Sequence, residues 1–304
     1  MAGLSVVDDG QTSVGVVGLG AMGLPIALNV VRGGVTTTVW NRSRSRTATA
    51  VAAGARRALT PRDLASRSSV MLIVLPDMPQ LREVLEGPQG LRQALSPGQV
   101  VVVMSTVDPA AVRSLGAELS PLGVHVVDAP MSGGDVGARN GTLSIMVGGD
   151  KSVVDKLRPL FELIGSTVTY MGAVGSGQLA KACNQIVVAA NLTALGEALV
   201  LGRRGGLDAA SLLDALSAGL AGSRALELKR DKLLSSTFTP GGRAELQLKD
   251  LDIALAAGHA HRAALPLTAL LEQLFATLCE EGYGGEDHSG VVRVIERLSA
   301  SDPA

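Results

Sequence analysis

Aromatic side chains are nearly absent from this chain of 304 residues: one Trp, two Tyr and three Phe make up 2% of it. Its core must be filled by small aliphatics instead. Excess charge of either sign is also missing. With 27 basic and 28 acidic residues, there is no electrostatic reason to expect nucleic acid or an anionic membrane as partner. Cysteine is scarce. Cys183 and Cys279 have no metal or redox spacing, and both read as reduced packing residues of a cytoplasmic protein. The four histidines suggest no metal site, because His259 and His261 lie two apart and would leave a helix on different faces. The segment from Met1 to Thr12 lacks the basic and apolar regions of a signal peptide. The one long apolar stretch, after Gly177, is broken by Lys181, Asn184, Asn191 and Glu197, which argues against a membrane span. The length suits two domains.

Ser13-Val-Gly-Val-Val-Gly18 reads as a buried strand that enters Gly18-Leu19-Gly20-Ala21-Met22-Gly23 and then an apolar helix, Leu24 to Val31. Strand, G-x-G-x-x-G and helix in this order form the dinucleotide-binding fingerprint. One glycine makes the tight turn, the next admits a pyrophosphate to the backbone, and the third lets helix pack on strand. The next strand, Val35 to Trp40, ends in Asn41-Arg42-Ser43-Arg44. An acid that accepts from the adenosine ribose is expected near here in an NAD site, yet no Asp or Glu occurs between Asp9 and Asp63. A neutral Asn41 followed by Arg42 favours NADP over NAD, since a guanidinium holds a 2′-phosphate through paired, charge-assisted bonds. A solvated basic turn is the alternative.

Further apolar runs at Val70–Leu75, Val100–Met104, Val124–Asp128, Leu143–Val147 and Thr167–Tyr170 alternate with helical stretches. That pattern predicts a parallel, doubly wound sheet whose ligands sit at the strands' carboxyl ends. Leu75-Pro76, Ser105-Thr106 and Ser132-Gly133-Gly134 all fall at such ends. Asp108 before Pro109 reads as a helix cap. After Gly175 the strand signal stops, Asp208 caps a helix through Ala218, and leucines from Leu267 to Leu278 follow helical spacing. The expected fold is thus an α/β Rossmann-type dinucleotide-binding domain over residues 1–174 and an all-α domain over 175–304. A long interdomain helix joins them. Such a helix, about 25 residues or roughly 40 Å, exceeds what a small helical domain covers, which predicts a homodimer or homotetramer.

That helix carries Lys181, Asn184 and Gln185 on one face of an otherwise apolar stretch. Desolvation lowers a lysine's pKa, so an amine so placed can give and take a proton near neutral pH. Snorkelling from a helix end, or pairing with a carboxylate, would account for the same pattern.

Four separated motifs together give the chain a resemblance: Gly18-Leu-Gly-Ala-Met-Gly23, Asp128-Ala-Pro-Met-Ser-Gly-Gly134, the Lys181 helix, and Leu248-Lys249-Asp250-Leu251. It is similar over essentially its whole length to the β-hydroxyacid dehydrogenases. That family includes 3-hydroxyisobutyrate dehydrogenases, tartronate semialdehyde reductases and glyoxylate/succinic semialdehyde reductases. Lys181-Ala-Cys-Asn184-Gln185 and Asp287-His288-Ser289 resemble the tartronate semialdehyde branch most.

The resemblance implies an NADP-dependent oxidoreductase interconverting a small aldehyde acid and its hydroxy acid. In it Lys181 is the proton donor and acceptor, Asn184 orients the substrate oxygen, and Asp250 is an acid beside the active site. Ser132, Gly133 and Gly134 hold the substrate carboxylate. Thr106 and Lys249 lie near the nicotinamide, with Gly18 to Gly23, Asn41 to Ser43, Leu75 and Pro76 completing the cofactor contacts. Where several small-aldehyde reductases of the family carry an aromatic residue, this chain has Pro240-Gly241-Gly242-Arg243. That departure opens room for a bulkier substrate, or frees Arg243 for a carboxylate. Two other readings share the fold: an NADP-dependent imine reductase, which generally lacks the lysine, and a non-catalytic nucleotide-binding module, in which it is replaced.

Overall fold

Strands that are apolar at every position have no solvent side, and each must be covered on both faces. In the computed structural model, which describes residues 12–300, this happens in the N-terminal half. The segment that lacks signal-peptide character lies outside those residues, Thr12 excepted.

The elements run β1 (Ser13–Val17), α1 (Gly23–Arg32), β2 (Thr36–Trp40), α2 (Ala48–Ala52), β3 (Arg56–Arg57) and α3 (Pro61–Ala65). Then come β4 (Val70–Ile73), α4 (Met78–Glu86), β5 (Val100–Val103), α5 (Pro109–Leu119) and β6 (His125–Asp128). The half closes with β7 (Met131–Ser132), α6 (Gly134–Asn140), β8 (Leu143–Gly148), α7 (Lys151–Glu162) and β9 (Gly165–Gly172). Val14, Val16, Leu72 and Val102 meet Ile26 and Val30 of α1 and Leu157 and Phe161 of α7 on one face of the sheet. Met71, Ile73, Val101 and Val103 meet Leu81 and Leu85 of α4 and Val112 and Leu115 of α5 on the other.

Strand order is β3-β2-β1-β4-β5-β6-β8-β7, with β9 beside β8. The first six strands are parallel, and their order reverses direction between β1 and β4. This is the switch point where open α/β sheets bind ligands. The expected all-parallel sheet needs one correction: β8 runs antiparallel to both β6 and β7. β7 is two residues long, too short to leave a period in the sequence, so the reversal could not be read there.

The chain divides into two compact units, one ending at Lys181 and the other starting at Ala182. The division falls inside α8 (Ser176–Arg204). The second unit is helical: α9 (Ala209–Ala218), α10 (Arg224–Ser235), α11 (Ala244–His261), α12 (Pro266–Leu278) and α13 (Val292–Leu298). Asp208 caps α9 by accepting from Ser211 N–H at 2.8 Å, and Ser223 caps α10 through Leu226 N–H at 3.1 Å. Phe275, Leu271 and Leu278 of α12 pack with Leu251 and Leu192, and Leu199, Leu213, Leu226 and Leu233 form a neighbouring cluster.

α8 is less enclosed than its composition suggests. Cys183 is exposed rather than packed, and Val187 and Leu201 are 57% and 76% exposed. The apolar residues of α8 extend farther around the helix than its neighbours cover. By length and composition it is also the one helix among the described residues able to cross a membrane, although half of that window is buried in the protein.

Candidate active site

The three glycines of the loop after β1 sit at the switch point for three different reasons. Gly18 has φ +89°, and a Cβ there would lie 2.2 Å from the Val74 carbonyl oxygen. A Cβ on Gly23 would lie 1.8 Å from the Gly18 carbonyl oxygen. Both positions are closed by the protein itself. At Gly20 a Cβ would meet nothing within 4 Å, so its lack of a side chain serves something outside the chain. Among the described residues, no backbone acceptor takes the N–H groups of Gly20, Ala21 or Met22, which precede the first turn of α1. Backbone N–H groups without backbone acceptors at a helix start, beside the open space at Gly20, fit a dinucleotide pyrophosphate. Leu19 is turned inward: its side chain is 2% exposed and its N–H donates to Asn41 Oδ1 at 2.9 Å.

Asn41 therefore fastens the end of β2 to the glycine loop, and its Nδ2 donates to the Ser43 carbonyl at 3.0 Å. Arg42 and Ser43 are exposed. Arg44, Ser45, Thr47 and Arg57 line a cavity of about 630 Å³.

The carboxyl ends of β4, β5 and β6 are wired together. Leu75 N–H donates to Ser105 Oγ at 2.9 Å. Gln178, which is fully buried, donates through Nε2 to the Ser105 carbonyl at 2.8 Å and accepts from Val107 N–H at 3.1 Å. Thr106, between them, is half-buried. Asp128, also fully buried, accepts from Gly175 N–H at 2.7 Å and Gln178 N–H at 2.8 Å, and so caps α8 from another strand. Gly148 and Gly177 make room for it, since a Cβ on either would lie 2.6 and 2.8 Å from its carboxylate oxygens. Burial pushes the Asp128 carboxyl up to about 6 even though backbone N–H groups of Gly175 and Gln178 pull it back. One helical turn beyond Gln178, Lys181 is 7% exposed. Ser132 and Gly133 are half-buried where β7 turns into α6, and Gly134 is exposed, with nothing within 4 Å of its missing Cβ.

In the second unit a polar chain crosses the interior. Gln185 Nε2 donates to Asp250 Oδ2 at 2.7 Å and to Gln247 Oε1 at 3.3 Å, while Gln247 Nε2 donates to the Gln185 carbonyl at 3.2 Å. That last bond fixes the Gln247 amide, so His288 Nδ1, 3.2 Å from Gln247 Oε1, carries the proton. Lys249 pairs with Asp250 at 3.1 Å, and Asn184 is half-buried on α8. Asp287 is the hub below. Its Oδ2 accepts from Lys229 at 2.8 Å and from the N–H groups of Gly241 and Gly242 at 2.9 and 3.2 Å. Its Oδ1 accepts from the Ser289 hydroxyl at 2.7 Å. Burial opposes its charge, but His288, Lys229 and the Ser289 hydroxyl outweigh burial and hold the carboxyl well below its ordinary value.

Two residues of the Pro240–Arg243 segment have neighbours that the sequence did not show. The space beside Gly242 is bounded by the His288 ring, 3.2 Å from where a Cβ would stand. Arg243, read as open to a carboxylate, is ion-paired with Glu245. Sequence reasoning gave no role to Gln178 or Gln247, nor to Asp128 and Asp287, although those two stand in its motifs. The available signal was a glutamine three residues before the lysine on an apolar helix. His259 and His261 are exposed, and among the described residues no group of His, Cys, Asp and Glu could hold a metal.

A family model described as the NAD binding domain of 6-phosphogluconate dehydrogenase matches residues 13–172. A second, described as the NAD-binding domain of NADP-dependent 3-hydroxyisobutyrate dehydrogenase, matches residues 175–295. The 2-hydroxy-3-oxopropionate reductase of Escherichia coli is 39% identical over 94% of this chain and 98% of its own length. The chain belongs to the β-hydroxyacid dehydrogenase family. Among solved structures, a 3-hydroxyisobutyrate dehydrogenase from Salmonella typhimurium superposes with a TM-score of 0.86 at 28% identity, covering 93% of this chain and 99% of that one. A structure described as Psf3 in complex with NADP+ and 2-OPP gives 0.84 at 27% identity, with coverage of 93% and 99%. Imine reductases match at 23% identity or less, a likeness of fold alone. Relatives in this family are NAD(P)-dependent oxidoreductases acting on hydroxy acids.

Proposed function

We propose that this chain is an NADP-dependent oxidoreductase that interconverts a small aldehyde acid and its hydroxy acid, with Lys181 as general acid and base. The observation that carries the reading is Lys181 itself. It is 7% exposed and stands one turn beyond the residue that grips the Thr106 loop. The bound nicotinamide supplies the hydride in reduction and accepts it in oxidation. As the substrate carbonyl becomes a hydroxyl, the Lys181 ammonium gives a proton to its oxygen, and solvent recharges the amine. In the reverse direction the neutral amine takes that proton. Asn184, one turn further along the helix, is assigned to hydrogen-bond the same oxygen, and Asp250 to serve as the acid of the site. The Ser132 hydroxyl and the N–H groups of Gly133 and Gly134 are assigned to the substrate carboxylate.

Support for NADP comes from Arg42 and Arg44, exposed at the end of β2, and from a structural relative with bound NADP+. The substrate class is tartronate semialdehyde, glyoxylate, succinic semialdehyde or 3-hydroxyisobutyrate. Tartronate semialdehyde is the common name of the 2-hydroxy-3-oxopropionate in the E. coli relative's name. We place the enzyme in the cytoplasm, as its free cysteines suit, and as a homodimer or homotetramer that covers Val187 and Leu201 of α8. Light scattering that returns a monomer would remove the oligomer.

The test of the chemistry is a spectrophotometric panel that follows NADPH oxidation with glyoxylate, tartronate semialdehyde and succinic semialdehyde and NADP+ reduction with 3-hydroxyisobutyrate, with an imine panel alongside. Lys181→Ala should lower kcat at least a hundredfold while NADPH affinity barely changes. Near-normal turnover in that variant, or activity on imines only, would overturn the reading.

A further inference from the structure

We propose that Gln178 is a positioning residue that locks the Thr106 loop and the Lys181 turn into one register. The inference rests on the reading of Lys181 as proton donor. Capping cannot account for this side chain, because Asp128 already accepts the N–H groups of Gly175 and Gln178 at the start of α8. The Gln178 amide does something else. It spans the two peptide groups on either side of Thr106, donating to the Ser105 carbonyl and accepting from Val107 N–H.

Only one orientation of the amide satisfies both bonds. A flip would set oxygen against oxygen and N–H against N–H in a fully buried place. The loop is thus held at two adjacent main-chain points by a rigid planar group. Ser105 passes the restraint on, through its hydroxyl, to Leu75 at the end of β4. Lys181 lies three residues after Gln178, on the same helical face. A shift of the loop therefore displaces the nicotinamide side of the site relative to the proton donor. Misplacement by about 1 Å is enough to cost on the order of 10²-fold in rate.

The experiment uses the full-length enzyme, NADPH, and whichever aldehyde acid of the panel is reduced fastest. Gln178→Met keeps length and removes both hydrogen bonds. Gln178→Glu keeps the acceptor for Val107 N–H and places an oxygen against the Ser105 carbonyl. Circular dichroism fixes an assay temperature well below the melting point of each variant, so that a fold defect is not read as a rate defect. In Gln178→Met kcat should fall ten- to a hundredfold, with the KM for NADPH changed less than threefold. The deuterium isotope effect with 4-deuterated NADPH should rise as hydride transfer becomes rate-limiting. Gln178→Glu, which loses the bond to Ser105 and sets oxygen against oxygen, should show the same split, and it carries the test alone if the methionine variant does not fold.

A kcat within threefold of the parent, or a loss confined to KM for NADPH, would overturn the clamp while Lys181→Ala remained inactive. Near-normal turnover in Lys181→Ala would instead overturn the reading on which the clamp rests.

Discussion

Three glycines in one short loop should respond to the same methyl group in separable ways. At Gly20 a methyl meets nothing within 4 Å, and φ lies outside the left-handed range, so alanine is accommodated. Stability should stay within about 0.5 kcal/mol of the parent, or rise slightly because the unfolded chain loses freedom. Binding is another matter. The added carbon enters the open space at Gly20, beside N–H groups of Gly20, Ala21 and Met22 that no backbone acceptor takes among the described residues. Losing one or two charge-assisted hydrogen bonds, each about 1.5–3 kcal/mol, weakens NADPH at least tenfold.

At Gly23 a Cβ would stand 1.8 Å from the Gly18 carbonyl oxygen, far inside van der Waals contact. Backbone must move, so Gly23→Ala should cost about 3 kcal/mol or more in stability. Gly18→Ala combines a 2.2 Å approach to Val74 with φ +89° and should cost at least as much. The assay is built in. Trp40 is the only tryptophan, and its carbonyl accepts from Gly18 N–H at 3.0 Å. Its fluorescence should report NADPH through energy transfer, while thermal melts without ligand report stability. If Gly20→Ala bound NADPH with unchanged affinity, the loop would not be the phosphate cradle. If it unfolded the protein, the open space deduced around Gly20 would be wrong.

Arg42→Ala should weaken NADPH ten- to a hundredfold and NADH less than threefold, as titrations followed by Trp40 would show; equal losses would make Arg42 an ordinary surface charge. Asp128 has its folded value raised from 3.8 to about 6. Its contribution to stability is therefore fully present below about pH 3.8 and lost as pH rises through about 6, an effect of up to about 3 kcal/mol. Urea unfolding at pH 4 and pH 7 should lose that pH dependence in Asp128→Asn, and an unchanged slope would refute it. Asp287 has the opposite sign, since its folded value is lowered; its stabilisation is present above about pH 3.8 and lost as pH falls through its folded value. In Asp287→Asn the amide N–H₂ would face either Lys229 and two backbone N–H groups or the Ser289 N–H and hydroxyl, and the charge that balances Lys229 is lost either way; stability measured by urea at neutral pH should drop by about 3–5 kcal/mol.

What the sequence made legible were features whose cause is local. The glycine loop, the aliphatic strand runs and the caps at Asp108 and Asp208 depend on neighbours within a few residues, and the structure places each as read. The features it hid have distant causes. Asp128 caps a helix that begins 47 to 50 residues later, and Gln178 reaches back 71 to 73 residues. Each looks like an unremarkable polar residue until the partners are in place. The line from Gln185 through Gln247 to His288 likewise joins separations of 62 and 41 residues. Cys183 on α8, read as a packing residue, is exposed, and this was hidden for a different reason. Alanine and valine are equally at home against a core or at a surface that awaits a partner, so composition alone gave Cys183 and Val187 no distinguishing mark.

The grip on the loop after β5 is exerted on peptide atoms of Ser105 and Val107, so it is indifferent to which side chain residue 106 carries. That separates two jobs usually entangled in enzymes: tuning what touches the reactants, and keeping the scaffold registered. A library randomised at Thr106 alone should therefore keep the loop in register while changing what the residue itself touches, making this position a practical starting point for redesign.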